Sequence, residues 1–332
     1  MSQITIKKEF NPWSLEYNDY DLKKEKSRET LLTIGNGYMG TRGAMEEITA
    51  SETNYPGTYI AGLYNRLISK VADKDIENED FVNCPNWTSI NFKIKNEEWF
   101  NVNTDEIISV KRNLNFLNGC LSKKLIVKDK KGRKTEINSS RIVSMSNPHL
   151  AAIKYKIKPL NYSGLIEIKS TLNGNIINDG VSRYRDLNQK HLKPVAQGND
   201  NEISWLSVET TKSAIEIAQA AKFAIHNNGI LENVKISHNI LPGFVDSAFS
   251  IVLNEGVELS IEKVVAISTS KPDDKKEPLK FSKNLVRSVG SFSSILNESE
   301  AEWKKIWNKI DIQIEGDIKS QTLIRLPLYH LM

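Results

Sequence analysis

The chain has 332 residues, 39% hydrophobic and 26% charged, the balance of a folded globular protein and too apolar for a disordered one. With 45 basic against 41 acidic residues the net charge is only +4, without the basic stripe that a nucleic-acid partner requires. No apolar run reaches the roughly 18 residues that cross a membrane, and two cysteines, Cys84 and Cys120, cannot build a disulfide framework or a zinc site.

The first ten residues, MSQITIKKEF, lack the apolar core of a secretion signal, which points to the cytoplasm. Residues 31–34 read as an apolar strand entering Gly35-Asn36-Gly37-Tyr38-Met39-Gly40. That hexapeptide fits G-x-G-x-x-G, but only one helical turn, at 44–47, can follow before Asn54-Tyr55-Pro56-Gly57. A dinucleotide site needs a longer helix within a βαβ unit, so tight turns with glycine at positive φ are the better reading.

From about 29 to 270 the pattern is alternating, β-branched and repeatedly broken by turn residues. Residues 90–94 and 165–169 alternate cleanly, and Ile215, Ile217 and Ala218 continue the trend. Strands at 121–127 and 135–143 flank a basic tip with Lys128, Lys130, Lys131, Arg133 and Lys134, read as a solvated hairpin. Residues 249–253 and 259–264 read as hairpin partners across Asn254-Glu255-Gly256. Many short strands without intervening 10–15-residue helices give a mainly β fold, a large antiparallel two-sheet β-sandwich.

After Lys271-Pro272-Asp273-Asp274-Lys275-Lys276 the period becomes helical, with Phe281, Leu285, Val289, Phe292 and Leu296 on one stripe. Ser299-Glu300-Ala301-Glu302 fits a capping box that opens a second helix carrying Trp303, Ile306, Trp307 and Ile310. These helices pack either on the chain's own sandwich or on another surface. Residues 311–317 read as a strand and turn, and 320–332 as an apolar helix with Leu323, Ile324, Leu328, Tyr329 and Leu331. No catalytic constellation stands out: His149, His191, His226, His238 and His330 show no metal-ligand spacing, and no Gly-x-Ser-x-Gly elbow or phosphate-binding loop occurs.

Two motifs taken together are more specific. Trp13 leads to Glu29-Thr30-Leu31-Leu32-Thr33-Ile34-Gly35-Asn36-Gly37-Tyr38-Met39-Gly40-Thr41-Arg42-Gly43, and Tyr55-Pro56-Gly57-Thr58-Tyr59-Ile60-Ala61-Gly62-Leu63-Tyr64-Asn65-Arg66 follows. This order resembles the N-terminal domain of glycoside hydrolase family 65, the maltose, trehalose and kojibiose phosphorylases. Residues 261–266 resemble its last sandwich strand, Trp303 and Trp307 with 311–317 its linker, and Gln321, Arg325 and His330-Leu331 the first helix of its (α/α)6 catalytic barrel.

The resemblance implies an N-terminal β-sandwich domain at 1–270, a helical linker at 271–310 and the start of a truncated barrel at 311–332. It implies inverting phosphorolysis of an α-linked glucose disaccharide to β-glucose 1-phosphate. A Glu would act as general acid and inorganic phosphate as nucleophile, with no metal or organic cofactor. In the family that Glu and the phosphate site belong to the barrel beyond Met332, and no residue here matches them. Pro327, inside the first barrel helix, departs from a regular helix.

The expectation is therefore a non-catalytic part, inactive alone, that supports the barrel and its homodimer. Arg42, Tyr64, Asn65 and Arg66 are candidates to face the barrel, with a structural role inside the sandwich as the alternative for each. A second reading is a standalone carbohydrate-binding module in which Trp87, Trp99 and Trp205 would stack on sugar. A third is a split enzyme, a separate chain carrying the barrel and docking on Trp303, Trp307 and the last helix.

Overall fold

The computed structural model describes residues 11–71, 74–178 and 188–332; the first ten residues, read above for a secretion signal, lie outside the described residues. The chain opens with strand β1 (Ser14–Tyr17), helix α1 (Glu25–Leu31) and three short strands, β2 (Ile34–Gly35), β3 (Met39–Thr41) and β4 (Thr58–Ile60). A hairpin follows, β5 (Tyr64–Val71) and β6 (Lys74–Phe81). Next come β7 (Ile90–Ile94), β8 (Glu106–Asn115), β9 (Cys120–Lys128), β10 (Lys134–Val143), β11 (Leu150–Pro159) and β12 (Gly164–Asn173). Then β13 (Leu192–Asp200), β14 (Ile203–Thr210), β15 (Glu216–Asn227), β16 (Ile230–Leu231), β17 (Ser237–Leu241), β18 (Phe244–Leu253) and β19 (Leu259–Thr269) complete the strands. Three helices end the chain: α2 (Pro278–Ser288), α3 (Phe292–Ile310) and α4 (Ile318–His330).

The strands form a large antiparallel β-sandwich. One sheet runs β1-β8-β9-β10-β11-β19-β15-β14-β13, with β16 attached to β15; the other runs β17-β18-β12-β7. Alternation explains the layering. In β7 the residues Ile90, Phe92 and Ile94 are buried while Asn91 and Lys93 are not, so one face meets the core. They join Leu125, Ile137, Ile153, Ile166, Ile168 and Val265 in one cluster between the sheets.

Strand β19 is buried at every position. Its Ile261, Val265 and Ile267 enter the inter-sheet core, while Val264 and Ala266 join a second core with Ala152, Ala220, Val286, Phe292 and Ile295. Small alanines on this outer face let α2 approach the sheet closely, and Ser282 Oγ lies 2.8 Å from Ser268 Oγ. The helices after the sandwich therefore pack on the chain's own sheet.

Five local expectations are corrected. Residues 31–34 are not one strand, because α1 runs to Leu31 and β2 begins at Ile34. β18 and β19 are not a hairpin: β18 pairs with β12 and β17, whereas β19 pairs with β11 and β15 in the other sheet. The segment between them arches across the sandwich, held by Gly256 N–H to Pro159 O (2.8 Å) and Glu255 N–H to Ser163 Oγ (2.8 Å). Alternation is the same in a hairpin and in an arch, so periodicity alone does not separate them.

The single apolar stripe from Phe281 to Leu296 is split, since Val289 is extended and Ser291 caps α3 by accepting from Ser294 N–H. Ser299 lies inside α3, fully buried, where its Oγ accepts from Met145 N–H at 3.0 Å. Residues 311–317 form no strand. Their backbone is satisfied instead by the Gln321 amide, which accepts from Ile314 N–H (2.7 Å) and donates to Ile312 O (2.8 Å).

α4 continues through Pro327, and Leu323, whose carbonyl loses its donor there, lies on the exposed side of the helix. An aromatic cluster fastens α3 and α4 to the sandwich. Trp307 Nε1–H donates to Phe116 O (2.8 Å), Trp13 meets Trp307 edge-on at 5.0 Å, and Tyr329 stacks on Trp303 at 5.0 Å. Arg325 grips Asp311 through two 2.8 Å bonds and lies 3.5 Å over the Trp13 ring.

The cap assignment is testable by chemical denaturation. Ser291→Ala costs about 1 kcal/mol of stability, while Glu302→Ala, which removes the side chain a capping box at Ser299 needs, stays within about 0.5 kcal/mol. Equal losses would restore the capping box at Ser299.

Candidate functional site

The glycine motif forms a tight turn. Gly37 has φ +78°, and Asn36 Oδ1 accepts from Tyr38 N–H (3.1 Å) and Met39 N–H (3.0 Å). No helix opens at Gly40, which pairs with Gly35 on one side and Tyr59 on the other in the small sheet β2-β3-β4. Asn36 Nδ2 donates to Ser144 O (2.7 Å) and Pro148 O (3.1 Å), pinning the turn to the β10–β11 connection.

The charged break after β19 returns to this motif. Tyr38 OH donates to Asp274 Oδ2 at 2.5 Å, and Thr269 N–H and Oγ1 donate to the same oxygen. Lys271 Nζ donates to Ala61 O at 2.6 Å. Burial and the Asp274 carboxylate both push the Tyr38 hydroxyl above its usual range, so it stays protonated as the donor. His149 donates from Nδ1 to Ile267 O (3.0 Å) and lies 3.5 Å from Asp274. Burial lowers its pKa.

A cavity of about 510 Å³ lies between this turn and the end of α4. Asn36, Tyr38, Tyr59, Phe81, His330 and Met332 are among its walls, and no Asp or Glu is among the described residues lining it. His330 Nε2 sits 3.3 Å from Thr33 O and acts as donor there.

The four residues singled out in the two motifs separate into two pairs. Arg42 is spent locally, donating from Nε to Tyr55 O (2.8 Å), from Nη1 to Thr30 Oγ1 (2.7 Å) and from Nη2 to Lys26 O (2.7 Å). Asn65 is buried; it donates to Thr211 Oγ1 (3.1 Å), pairs with His191 Nδ1 (3.0 Å) and accepts from Lys212 and Ser213 N–H. Tyr64, 48% exposed, packs its ring against Phe81 on the surface hairpin. Arg66 is exposed and pairs with Glu79 at 3.2 Å. Arg42 alone of the four borders the cavity.

Among the three tryptophans, Trp87 is fully buried with its Nε1–H on Thr41 Oγ1 (3.2 Å), and Trp205 is covered by the Lys283 ammonium at 4.1 Å. Trp99 is half-buried, with the Lys169 and Lys93 ammoniums 4.6 and 5.1 Å from its ring centre. In the basic hairpin, Lys131 and Arg133 both pair with Glu97, and Lys128 with Glu106. Among the described residues no group of three or more His, Cys, Asp or Glu could hold a metal ion. Burial raises both thiols, Cys84 to about 12 and Cys120 to about 11.

Sequence reasoning passed over a buried charge cluster. Lys123 Nζ donates to Glu46 Oε2 and to both oxygens of Glu47, each at 2.7 Å. Tyr155 OH donates to Glu47 (2.8 Å), Ser139 Oγ to Glu46 (2.9 Å), and Arg141 to Ala44 O (3.0 Å). Burial alone would raise the Glu46 pKa, but the Lys123 and Arg141 charges together outweigh it and hold the carboxyl below 4.5. Lys263, between the sheets, donates to Thr171 O at 3.1 Å, and burial pushes its ammonium down to about 7. The signal was present: Lys123 shares the inward alternation of Leu121 and Leu125, and Lys263 that of Ile261 and Val265.

With the fold and this geometry established, comparison with known proteins defines the class. Residues 15–306 match the model of the glycosyl hydrolase family 65 N-terminal domain. The chain belongs to that family. It is 33% identical over 329 residues to a kojibiose phosphorylase of Caldanaerobacter subterraneus subsp. tengcongensis, covering 96% of this chain and 41% of that protein. It is 32% identical over 324 residues to an uncharacterized glycosyl hydrolase of Mycobacterium tuberculosis, covering 97% of this chain and 24% of that protein. A trehalose 6-phosphate phosphorylase of Lactococcus lactis is 29% identical over 323 residues, with 96% and 40% covered. A solved human-microbiome structure, described as a candidate kojibiose phosphorylase, shares the fold at TM-score 0.83 and 19% identity, over 97% of this chain and 42% of its own. The chain thus spans between a quarter and about two-fifths of these proteins.

Two predictions follow from the geometry. Asn65→Ala strands several buried partners and costs roughly 2 kcal/mol, whereas Tyr64→Ala and Arg66→Ala each stay near 0.5 kcal/mol in urea denaturation. The Glu46 contribution, with its folded pKa lowered, is complete above pH 4.5 and is lost as the pH falls below that value. Stability measured down through that range drops more steeply for the native chain than for Glu46→Gln; parallel curves would remove Glu46 as a cause.

Proposed function

We propose that this chain is the N-terminal, non-catalytic part of an α-glucoside phosphorylase of carbohydrate metabolism, inactive alone. The lining of the cavity beside the glycine motif carries this reading. Cleaving a glycosidic bond needs a carboxylic acid beside the leaving oxygen, and no Asp or Glu lies among the described residues of that wall. The buried carboxylates nearby are already engaged: Glu29 by Asn54 and Tyr55, Glu46 and Glu47 by Lys123, and Asp274 by Tyr38 and Thr269.

The reaction served is the inverting phosphorolysis of an α-linked glucose disaccharide by inorganic phosphate, giving β-glucose 1-phosphate. The relatives named for kojibiose and trehalose 6-phosphate support that substrate class. We assign 1–270 to the sandwich domain, 271–310 to the helical linker and 311–332 to the start of the catalytic barrel. The linker then works as a strut, packed on the sandwich through α2 and α3. The outer face of α4 with the residue that follows it, where Leu323 and Leu331 are 68% and 75% exposed, is the surface offered to the barrel, in the same polypeptide or in a separate chain. A homodimer of the assembled enzyme and a cytoplasmic location complete the reading, the latter supported by two free thiols.

The test is a coupled assay of the purified 332-residue chain with maltose, kojibiose or trehalose and inorganic phosphate. The expected result is no glucose 1-phosphate above the enzyme-free blank. Turnover by the chain alone would overturn the non-catalytic assignment.

A further inference from the structure

At the opposite end of β7 from the glycine motif, a second cavity of about 370 Å³ opens between the loop after β7 and the β9–β10 hairpin. We propose that it is a binding site for a neutral glucoside of about disaccharide size, separate from the proposed phosphorolysis and independent of it.

The volume lies in the range of small-molecule sites, about 300–1,000 Å³, near its lower end. The inner wall is apolar: Phe92 and Phe100 stack at 5.3 Å, with Val127 beside them. Trp99 forms part of the wall, half-buried, and its indole N–H makes no hydrogen bond among the described residues. The Lys169 and Lys93 ammoniums lie 4.6 and 5.1 Å from the centre of that ring, so apolar surface, an unspent indole donor and cationic donors meet there, a combination that suits the CH face and hydroxyls of a pyranose ring.

The charges at the rim argue for an uncharged ligand. Five basic and four acidic side chains line the cavity, so neither sign dominates. Several cancel directly: Lys131 and Arg133 lie 2.5 and 3.1 Å from Glu97, and Arg133 is 2.6 Å from Asp129. The two pairs with Glu97 hold the two loops together across the opening. Glu98 and Lys130 are exposed and unpaired among the described residues, leaving one strong acceptor and one strong donor for ligand hydroxyls. An anion would meet Glu98 and a cation would meet Lys130, whereas a polyhydroxylated neutral ring satisfies both. The other tryptophans are not among the residues that line this cavity: Trp87 is sealed in the core, Trp205 packs against α2, and Trp13, Trp303 and Trp307 fasten the terminal helices.

The experiment titrates the 332-residue chain, without phosphate, with maltose and kojibiose by calorimetry and saturation-transfer NMR. Binding of at least one sugar is expected. Trp99→Ala weakens it about tenfold or more, the loss of roughly one aromatic stacking contact. Trp205→Ala leaves affinity unchanged. Should Trp99→Ala fail to fold, the exposed double change Glu98→Ala with Lys130→Ala decides, with a several-fold loss expected. Absence of binding at high millimolar sugar, native affinity in a folded Trp99→Ala or in the double variant, or displacement of the sugar by inorganic phosphate would each overturn the proposal. None of these outcomes depends on whether the chain catalyses phosphorolysis.

Discussion

The structure depends on one strand having no free face. β19 is buried along its whole length, with a sheet of four strands on one side and two helices on the other. Burial on both sides turns a two-layer sandwich into three layers locally. It also sets the position of everything after it. Val264 and Ala266 seat α2 and the start of α3, Glu262 Oε2 accepts from the first helical N–H of α3 (3.0 Å), and α3 carries the two tryptophans that receive α4. A carboxylate at a helix N-terminus is favourable both as an acceptor and against the helix dipole. The terminal helices are therefore held by the sheet, and the exposed outer face of α4 is presented at a defined angle rather than on a loose tail.

The glycine motif is the other half of that arrangement. Its turn is fixed to the β10–β11 connection by Asn36 and to the segment between β19 and α2 by Tyr38, whose hydroxyl ends on Asp274. The close approach is steric as well as polar. A Cβ at Gly43 would come within 2.3 Å of Leu32 Cβ, and one at Gly37 would lie 3.3 Å from Met332 O. Glycine is needed there because the motif is pressed between α1 and the end of α4, with positive φ at Gly37. The motif thus works as a joint where the sandwich, the segment leading to α2 and the last helix meet, which accounts for its glycines.

The layers were legible in the sequence because alternation is local. β7 coincides with the clean run at 90–94, and the strands flanking the basic hairpin extend the segments read there by a residue or two. Pairing was not legible: the arch between β18 and β19 carries the same turn residues and the same alternation as a hairpin, and sheet membership is decided by contacts with β11 and β15 far along the chain. The false cap at Ser299 has a similar origin. Its spacing to Glu302 fits a cap, yet the helix had already started at Phe292, and a buried Ser there serves Met145 instead. At the candidate site the motif was visible but the hydrogen-bond partners of Arg42 and Asn65 were not, because those partners lie in other elements of the chain.

The buried charges show what a pattern of types can and cannot convey. Lys123 occupies an inward position that leucine would fill, and an apolar residue there would cost no desolvation. Lysine instead gathers Glu46 and Glu47, which lie just past the motif's Arg42 and Gly43, while Arg141 holds the carbonyls of Arg42 and Ala44. An apolar contact can slide by several ångströms at little cost, but a buried ion pair cannot, since any displacement leaves a charge uncompensated in a low-dielectric interior. The segment leading out of the joint is thereby tied to β9 and β10 in one register. Position, rather than added stability, is what this cluster supplies, and position is what a joint between the sandwich and the terminal helices requires.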